Sequence, residues 1–287
     1  MLRTNIKFYN AIRAGLLLTK KVNFEATIRS IMKNILFLIL QTITMNAFAQ
    51  LSPVTSGVIH WNDLTVKKDT LRETRQLTEG TTHEFEYFEI HATTQEKGAI
   101  PKPPHTQKDI EEVMIIKEGT MKCSIGNKTA VLGPGSVLLI PPLESQAFEN
   151  IGNGPLTYYV FMFRSKKPMN MERSKQAGGA LLLNADSLEF KETPKGGSRK
   201  YFDRPTAMCK NYEMHVTRLT HKGASHAPHQ HVDTEITLVL DGEVEMNIDG
   251  KVYTGGSGDL FIAESGITHS VSNATEKPCS YFAFKWR

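Results

Sequence analysis

The chain has 287 residues, 40% of them hydrophobic and 22% charged; this is ordinary for a soluble protein of one large or two ordinary domains and excludes disordered and collagen-like classes. The formal net charge is +4, but residues 1–49 hold seven Lys or Arg (positions 3, 7, 13, 20, 21, 29 and 33) and one acidic residue, Glu25. Without them 27 basic and 29 acidic residues remain, a net of −2, so charge offers no case for a nucleic-acid partner and none is expected.

Residues 1–49 read as an N-terminal extension that ends in a secretory signal peptide. Met32-Lys33-Asn34 precedes the apolar run at 35–40, and Ala47-Phe48-Ala49 supplies the small-x-small pattern before Gln50. The apolar run is too short to span a bilayer, which leaves cleavage after Ala49 as the expected outcome and a membrane anchor as the weaker one. Residue 50 is not cysteine, so no lipid is expected there. Translation is expected to start at Met32, and the mature protein to be periplasmic or secreted from a bacterium, with no membrane attachment after cleavage.

Beyond the leader come short apolar runs at 113–116, 121–125, 137–140, 237–240 and 244–248. Gly-Asn, Gly-Pro-Gly, Asp-Gly and Gly-Gly-Ser-Gly turns punctuate them. This predicts antiparallel β-structure with tight turns and almost no helix. The pattern repeats at an offset of 123 residues. Glu112 and Gly119 match Glu235 and Gly242; Gly135, Gln146 and Asn150 match Gly258, His269 and Asn273; Tyr159, Phe161 and Phe163 match Phe282, Phe284 and Trp286. A duplication follows, with one unit at 50–165, a linker at 166–200 carrying an exchanged edge strand around 179–188, and a second unit at 201–287.

The second unit carries the chemistry. From Gly223 the spacing is Gly-x5-His229-x-His231-x3-Glu235-x6-Gly242, then Gly258-x7-Gly266-x2-His269-x3-Asn273. In an extended segment His229 and His231 project from one face, and Glu235 joins them if the pleat continues. Three imidazoles and one carboxylate suit a divalent first-row ion, one per chain: Mn, Fe, Zn, Ni or Cu. Glu235 is expected to be an anionic ligand and a candidate catalytic residue. These two motifs resemble the signatures of the cupin superfamily, with one departure, Glu264 where proline is usual. The resemblance implies an all-β protein of two tandem jelly-roll barrels, a bicupin, with the ligands converging inside the C-terminal barrel. Cupins commonly dimerise, which leaves a homodimer open. In the first unit the matching positions are His105, Gln107, Glu112 and Gln146. Glutamine is a poor partner for imidazole at such a metal, so a structural barrel is expected there, with a second metal site as the alternative.

Around the motif, the strand at 211–219 presents either Glu213, His215 and Thr217 or Tyr212, Met214, Val216 and Arg218 to the pocket. His226 is a candidate for proton transfer or for holding a ligand ring in place, His221 reads as solvated, and Glu264 is either a general base or a solvated turn residue. The stretch from Glu213 to His226 resembles the (S)-ureidoglycine aminohydrolase group, manganese-dependent bicupins with the metal in the C-terminal barrel, and this resemblance favours Mn. That group tends to use Glu, His, His and Gln where this chain has His229, His231, Glu235 and His269. Three classes of function follow: a hydrolytic enzyme on a small polar metabolite, most concretely an aminohydrolase of ureidoglycine type; a quercetinase-like dioxygenase, which the ligand set resembles; and a non-catalytic sugar- or metal-binding cupin. Cys123, Cys209 and Cys279 are assigned no catalytic role, and a disulfide among them has no support.

Overall fold

The computed structural model describes residues 51–287, with Arg29, Met32 and Lys33; the extension, the signal peptide and its cleavage point otherwise lie outside the described residues. Residues 51–287 form one compact unit of two barrels, each a seven-stranded sheet facing a four-stranded one. In the N-terminal barrel the large sheet runs Leu181–Leu183, Val137–Ile140, Glu111–Glu118, Leu156–Ser165, Phe85–Gln95, Arg72–Gly80, Val66–Lys68. In the C-terminal barrel it runs Gly57–Ile59, Leu260–Ala263, Thr234–Asp241, Cys279–Trp286, Tyr212–Leu219, Gly196–Arg204, Lys191–Thr193. The small sheet of the C-terminal barrel holds Gly223–Ala224, His269–Asn273, Val244–Ile248 and Lys251–Gly255.

The edge strands change places. Leu181–Leu183, from the segment between the barrels, pairs with Val137–Ile140, while Gly57–Ile59, from before the first barrel, pairs with Leu260–Ala263. Each exchanged strand leads into a one-turn 3₁₀ helix, Ala185–Ser187 or Trp61–Asp63. These elements are 124 residues apart, so the duplicated unit begins at the exchanged strand, well upstream of the motifs. Two boundaries are thereby corrected. Residues 57–59 lie in the C-terminal sheet rather than in the first unit, and that sheet begins again at Lys191 rather than at 201. The hairpin at Lys195 brings Gly197 so close to Phe190 and the Lys191 carbonyl that a Cβ would lie within 2.6 Å of both, which is why a Gly-Gly pair there marks a strand start rather than a flexible linker.

Alternation along the strands sorts side chains between two cores. Phe282, Phe284 and Trp286 face the other barrel and join Phe85, Phe161, Tyr212 and Met214 in one buried cluster between the large sheets. The duplicated residues Phe161 and Phe284 meet edge-on at 4.9 Å, and Phe85 stacks on Trp286 at 5.3 Å. Strands with buried residues on both faces, such as Thr234–Asp241, are those sandwiched between this cluster and a barrel interior. The barrels are also stitched by a buried carboxyl: Glu111 accepts hydrogen bonds from Thr206 Oγ1 (2.7 Å), Met208 N (2.8 Å) and Ala207 N (3.2 Å). Burial pushes its pKa up against the pull of these donors. All three cysteines are free and buried. No helix among the described residues is long and apolar enough to cross a membrane.

Candidate metal centre

His229 and His231 do not continue a pleat into Glu235. The extended segment is broken at Val232–Asp233, and the strand begins only at Thr234. The three side chains meet because the loop folds against the second motif. His229 and His269 exchange backbone hydrogen bonds (N to O, 3.0 and 2.9 Å), Gly266 N donates to His231 O (2.8 Å), and Ser225 N donates to Val271 O (2.8 Å). The result is a group of four ligand atoms, from His229, His231, Glu235 and His269, all within 4.8 Å of one another. Bonds of about 2.0–2.2 Å to a shared ion span at most about 4.4 Å, so the four would close by a few tenths of an ångström around it.

The ring orientations fit a cation. His231 Nδ1 lies 2.9 Å from the Asp233 carbonyl and His269 Nδ1 lies 2.8 Å from the Ile267 carbonyl. A carbonyl only accepts, so Nδ1 carries the proton in each ring and Nε2 is left with its lone pair toward the cluster. His231 Nε2 is 3.2 Å and His269 Nε2 3.8 Å from Glu235 Oε2. The latter nitrogen is buried with no hydrogen-bond partner, a costly arrangement that a metal ion would resolve. Burial alone would raise the Glu235 pKa, but protonation of His231 and His269, which would let Nε2 of each ring donate to its carboxylate, outweighs burial and holds the carboxyl well below the usual range. The carboxylate thus favours positive charge on this cluster, whether extra protons on the rings or a metal ion. Burial, with repulsion from His226 and His269, lowers the pKa of His229, which keeps that ring neutral and able to ligate.

A pocket of about 470 Å³ opens beside the cluster, lined among others by His215, Thr217, His226, Glu235, Tyr281 and Lys285. The face of Tyr212–Leu219 is thereby decided. His215 and Thr217 turn to the pocket, while Tyr212, Met214 and Val216 enter the core between the barrels. Lys285 is opposite Glu235 in register and 3.7 Å from Glu213, itself 3.5 Å from His215. Burial pushes the Tyr281 hydroxyl up to about 12, so it remains a donor.

A model of the cupin domain matches residues 91–162 and again 216–285. The chain is a bicupin. Solved structures agree on the fold. An oxalate decarboxylase from Lactobacillus farciminis has a TM-score of 0.62 at 10% identity, over 82% of the bicupin and 87% of that chain. Protein Ylba from E. coli has a TM-score of 0.62 at 17% identity, over 85% and 96%. AerE from Microcystis aeruginosa has a TM-score of 0.60 at 12% identity, over 80% and 98%. No curated protein matches the chain significantly.

Within the bicupin frame the remaining sequence expectations separate. His226 is at the site: its ring meets that of His229 edge-on at 4.5 Å, and its Nδ1 is 3.0 Å from the Ala227 carbonyl, which leaves Nε2 free of that contact. It lines the pocket but is not one of the four grouped ligands. Glu264 does not join them, contrary to its reading as a base. Its neighbour Ala263 is paired with Glu235 and shares its face, so Glu264 turns the other way. Its carboxylate accepts from Ser56 N (3.0 Å) and Ser56 Oγ (3.1 Å), and its backbone N–H donates to Ser56 Oγ (3.0 Å). The first barrel has Pro141 at this place, which has no N–H to give; the exchange for glutamate serves the N-terminal strap. Sequence reasoning missed Lys285 and Tyr281. Their signal was present in the alternation of residues 281–286, since the residues that alternate with Phe282, Phe284 and Trp286 must face the pocket.

The first barrel repeats the geometry without the ligands. Gln146 is opposite His105, as His269 is opposite His229, and His91 and Thr93 occupy the places of His215 and Thr217. Gln107 Nε2 donates to Glu112 Oε1 at 2.9 Å, so an amide hydrogen takes the position that a cation has to share with the carboxylate. Among the described residues only the C-terminal barrel carries a metal-competent group.

Proposed function

We propose that the bicupin is a metal-dependent enzyme whose C-terminal barrel acts on a small polar metabolite bearing a carboxylate, most concretely as an aminohydrolase of ureidoglycine type. The observation that carries this reading is the pairing of the His229, His231, Glu235, His269 cluster with a pocket that holds a cationic side chain, Lys285, one strand away from Glu235. A divalent ion bound there would supply Lewis-acid chemistry, polarising a carbonyl and acidifying a water. Lys285 would bind the substrate carboxylate and orient the molecule across the pocket. Glu213, held between Lys285 and His215, fixes both side chains. Tyr281, kept protonated by burial, would donate to a substrate oxygen, and His226 would carry a proton between the leaving group and solvent at the pocket mouth. Manganese is the favoured ion, and the sequence of the leader supports a periplasmic or secreted mature enzyme; N-terminal sequencing starting at Gln50 would support that location.

Tag-free protein loaded with manganese should release ammonia from ureidoglycine generated in situ, and Lys285→Met should raise KM more than it lowers kcat. A quercetinase-like reaction is the competing reading, favoured by the three-histidine, one-glutamate set. Oxygen uptake with a flavonol, and no ammonia release, would replace the proposal with that one.

A further inference from the structure

The metal-free barrel contains a cavity of its own, of about 420 Å³, within the range of small-molecule sites. It is built like a binding site rather than a filled core. His91, Thr93 and Gln95, one face of the strand Phe85–Gln95, line one side with His105, Gln107 and Glu112, while Met114, Phe148, Tyr158, Val160 and Met162 supply an apolar wall. Gln95 is 3% exposed. Its Nε2 donates to the Tyr158 hydroxyl at 2.9 Å, and its Oε1 is buried with no partner. A buried acceptor left unpaired is costly, and Gln95 is among the residues that line the cavity. The only carboxyl deep in the wall, Glu112, has its pKa raised by burial, which weakens its repulsion of an anion.

The mouth is basic, with Lys67, Lys68, Arg72 and Lys102 against Asp69. Lys68 is paired with Glu73, Arg72 donates to the Ile100 carbonyl, and Asp69 accepts from Leu71 N. Lys67 and Lys102 have no acidic partner among the described residues. We propose that the N-terminal barrel is a second ligand site, for a small organic acid whose carboxylate meets Lys67 and Lys102, whose apolar body lies on Phe148 and Tyr158, and whose N–H or O–H satisfies Gln95 Oε1. This site stands independently of the metal centre and of the reaction proposed for it.

Hippurate carries all three features and serves as the probe, with N-methylhippurate lacking the N–H. Calorimetric titration of the full chain should show saturable hippurate binding at millimolar concentration, unchanged in His269→Ala. The surface double variant Lys67→Ala/Lys102→Ala should weaken it about tenfold, the loss of two partly exposed ion pairs. N-methylhippurate should bind the parent more weakly than hippurate does, and Gln95→Leu should abolish that difference. Absence of saturable binding by hippurate, phenylacetate and 4-hydroxyphenylacetate would overturn the proposal. So would binding that His269→Ala removes and the lysine pair leaves untouched, which would place the acid in the metal pocket.

Discussion

Truncating Glu264 to alanine removes a carboxylate oxygen that accepts two hydrogen bonds from Ser56, at 3.0 and 3.1 Å, and leaves the backbone N–H at 264 still donating to Ser56 Oγ. Fully buried charge-assisted bonds are worth about 1.5–3 kcal/mol each. This pair is only partly buried, so the loss should come to about 1–2 kcal/mol in total. For a unit of this size that lowers Tm by about 2–8 °C. The effect runs through Ser56, so Ser56→Ala/Glu264→Ala should cost less than the sum of the single variants by about 1 kcal/mol. Glu264→Pro, which restores the residue type of Pro141, should cost more than Glu264→Ala because it also removes the N–H. Urea denaturation measures all three, and a competitive chelator titration measures metal affinity alongside. That affinity should not change, since the carboxylate turns away from the cluster. A Glu264→Ala variant of unaltered stability that binds metal at least tenfold more weakly would refute the assignment and return Glu264 to the site.

Trp286→Ala empties a fully buried position against Phe85, Phe88 and Tyr212 and should cost about 3–5 kcal/mol by chemical denaturation; a loss below about 1 kcal/mol would mean that the inter-barrel cluster is not a core. Glu235→Gln should bind metal more weakly yet retain a residual reaction at saturating metal, with its acidic limb shifted downward; unchanged affinity with total loss of turnover would make Glu235 the proton-transfer group. Metal affinity should fall as pH drops, because each imidazole must be neutral to ligate, and the loss should begin above the ordinary histidine range, since Glu235 outweighs burial and raises the pKa of His269; chelator competition at several pH values checks the sign, and a flat profile would contradict imidazole ligation. Glu112→Ala should leave the metal content unchanged by elemental analysis, whereas halving it would show a second site in the first barrel.

Much of the architecture could be read from local chemistry. His229, His231, Glu235, His269 and the glycines around them sit at spacings that only a turn-rich β-barrel brings together, and the pairing of Phe161 with Phe284 follows from the repeat that their alignment revealed. Gly258 shows why some of those glycines are obligatory: its φ is +94°, and a Cβ would lie 3.1 Å from Trp61 Cγ. That same contact marks what stayed hidden. Trp61 and the strand Gly57–Ile59 dock on the other barrel through backbone pairing and through Asp259, which accepts from Trp61 N at 2.8 Å. Backbone pairing leaves no residue pattern, so the beginning of the repeat could not be seen in side chains that differ between the copies. The role of Glu264 stayed open between base and turn residue for a related reason: its partner, Ser56, is 208 residues away, and nothing in the local motif announces it. The pleat assumed through 229–235 failed because the histidines are positioned by hydrogen bonds to residues 266–271 rather than by strand geometry.

The central claim is that His229, His231, Glu235 and His269 hold one divalent ion in the C-terminal barrel. Elemental analysis of tag-free protein, saturated with manganese and freed of excess, tests it most directly. The parent should hold about one ion per chain, and His231→Ala and His269→Ala, each stripped of a ring whose Nε2 is aimed at the cluster, should hold almost none. Stoichiometric metal retained by either variant, or a parent that binds none across Mn, Fe, Zn, Ni and Cu, would contradict the account.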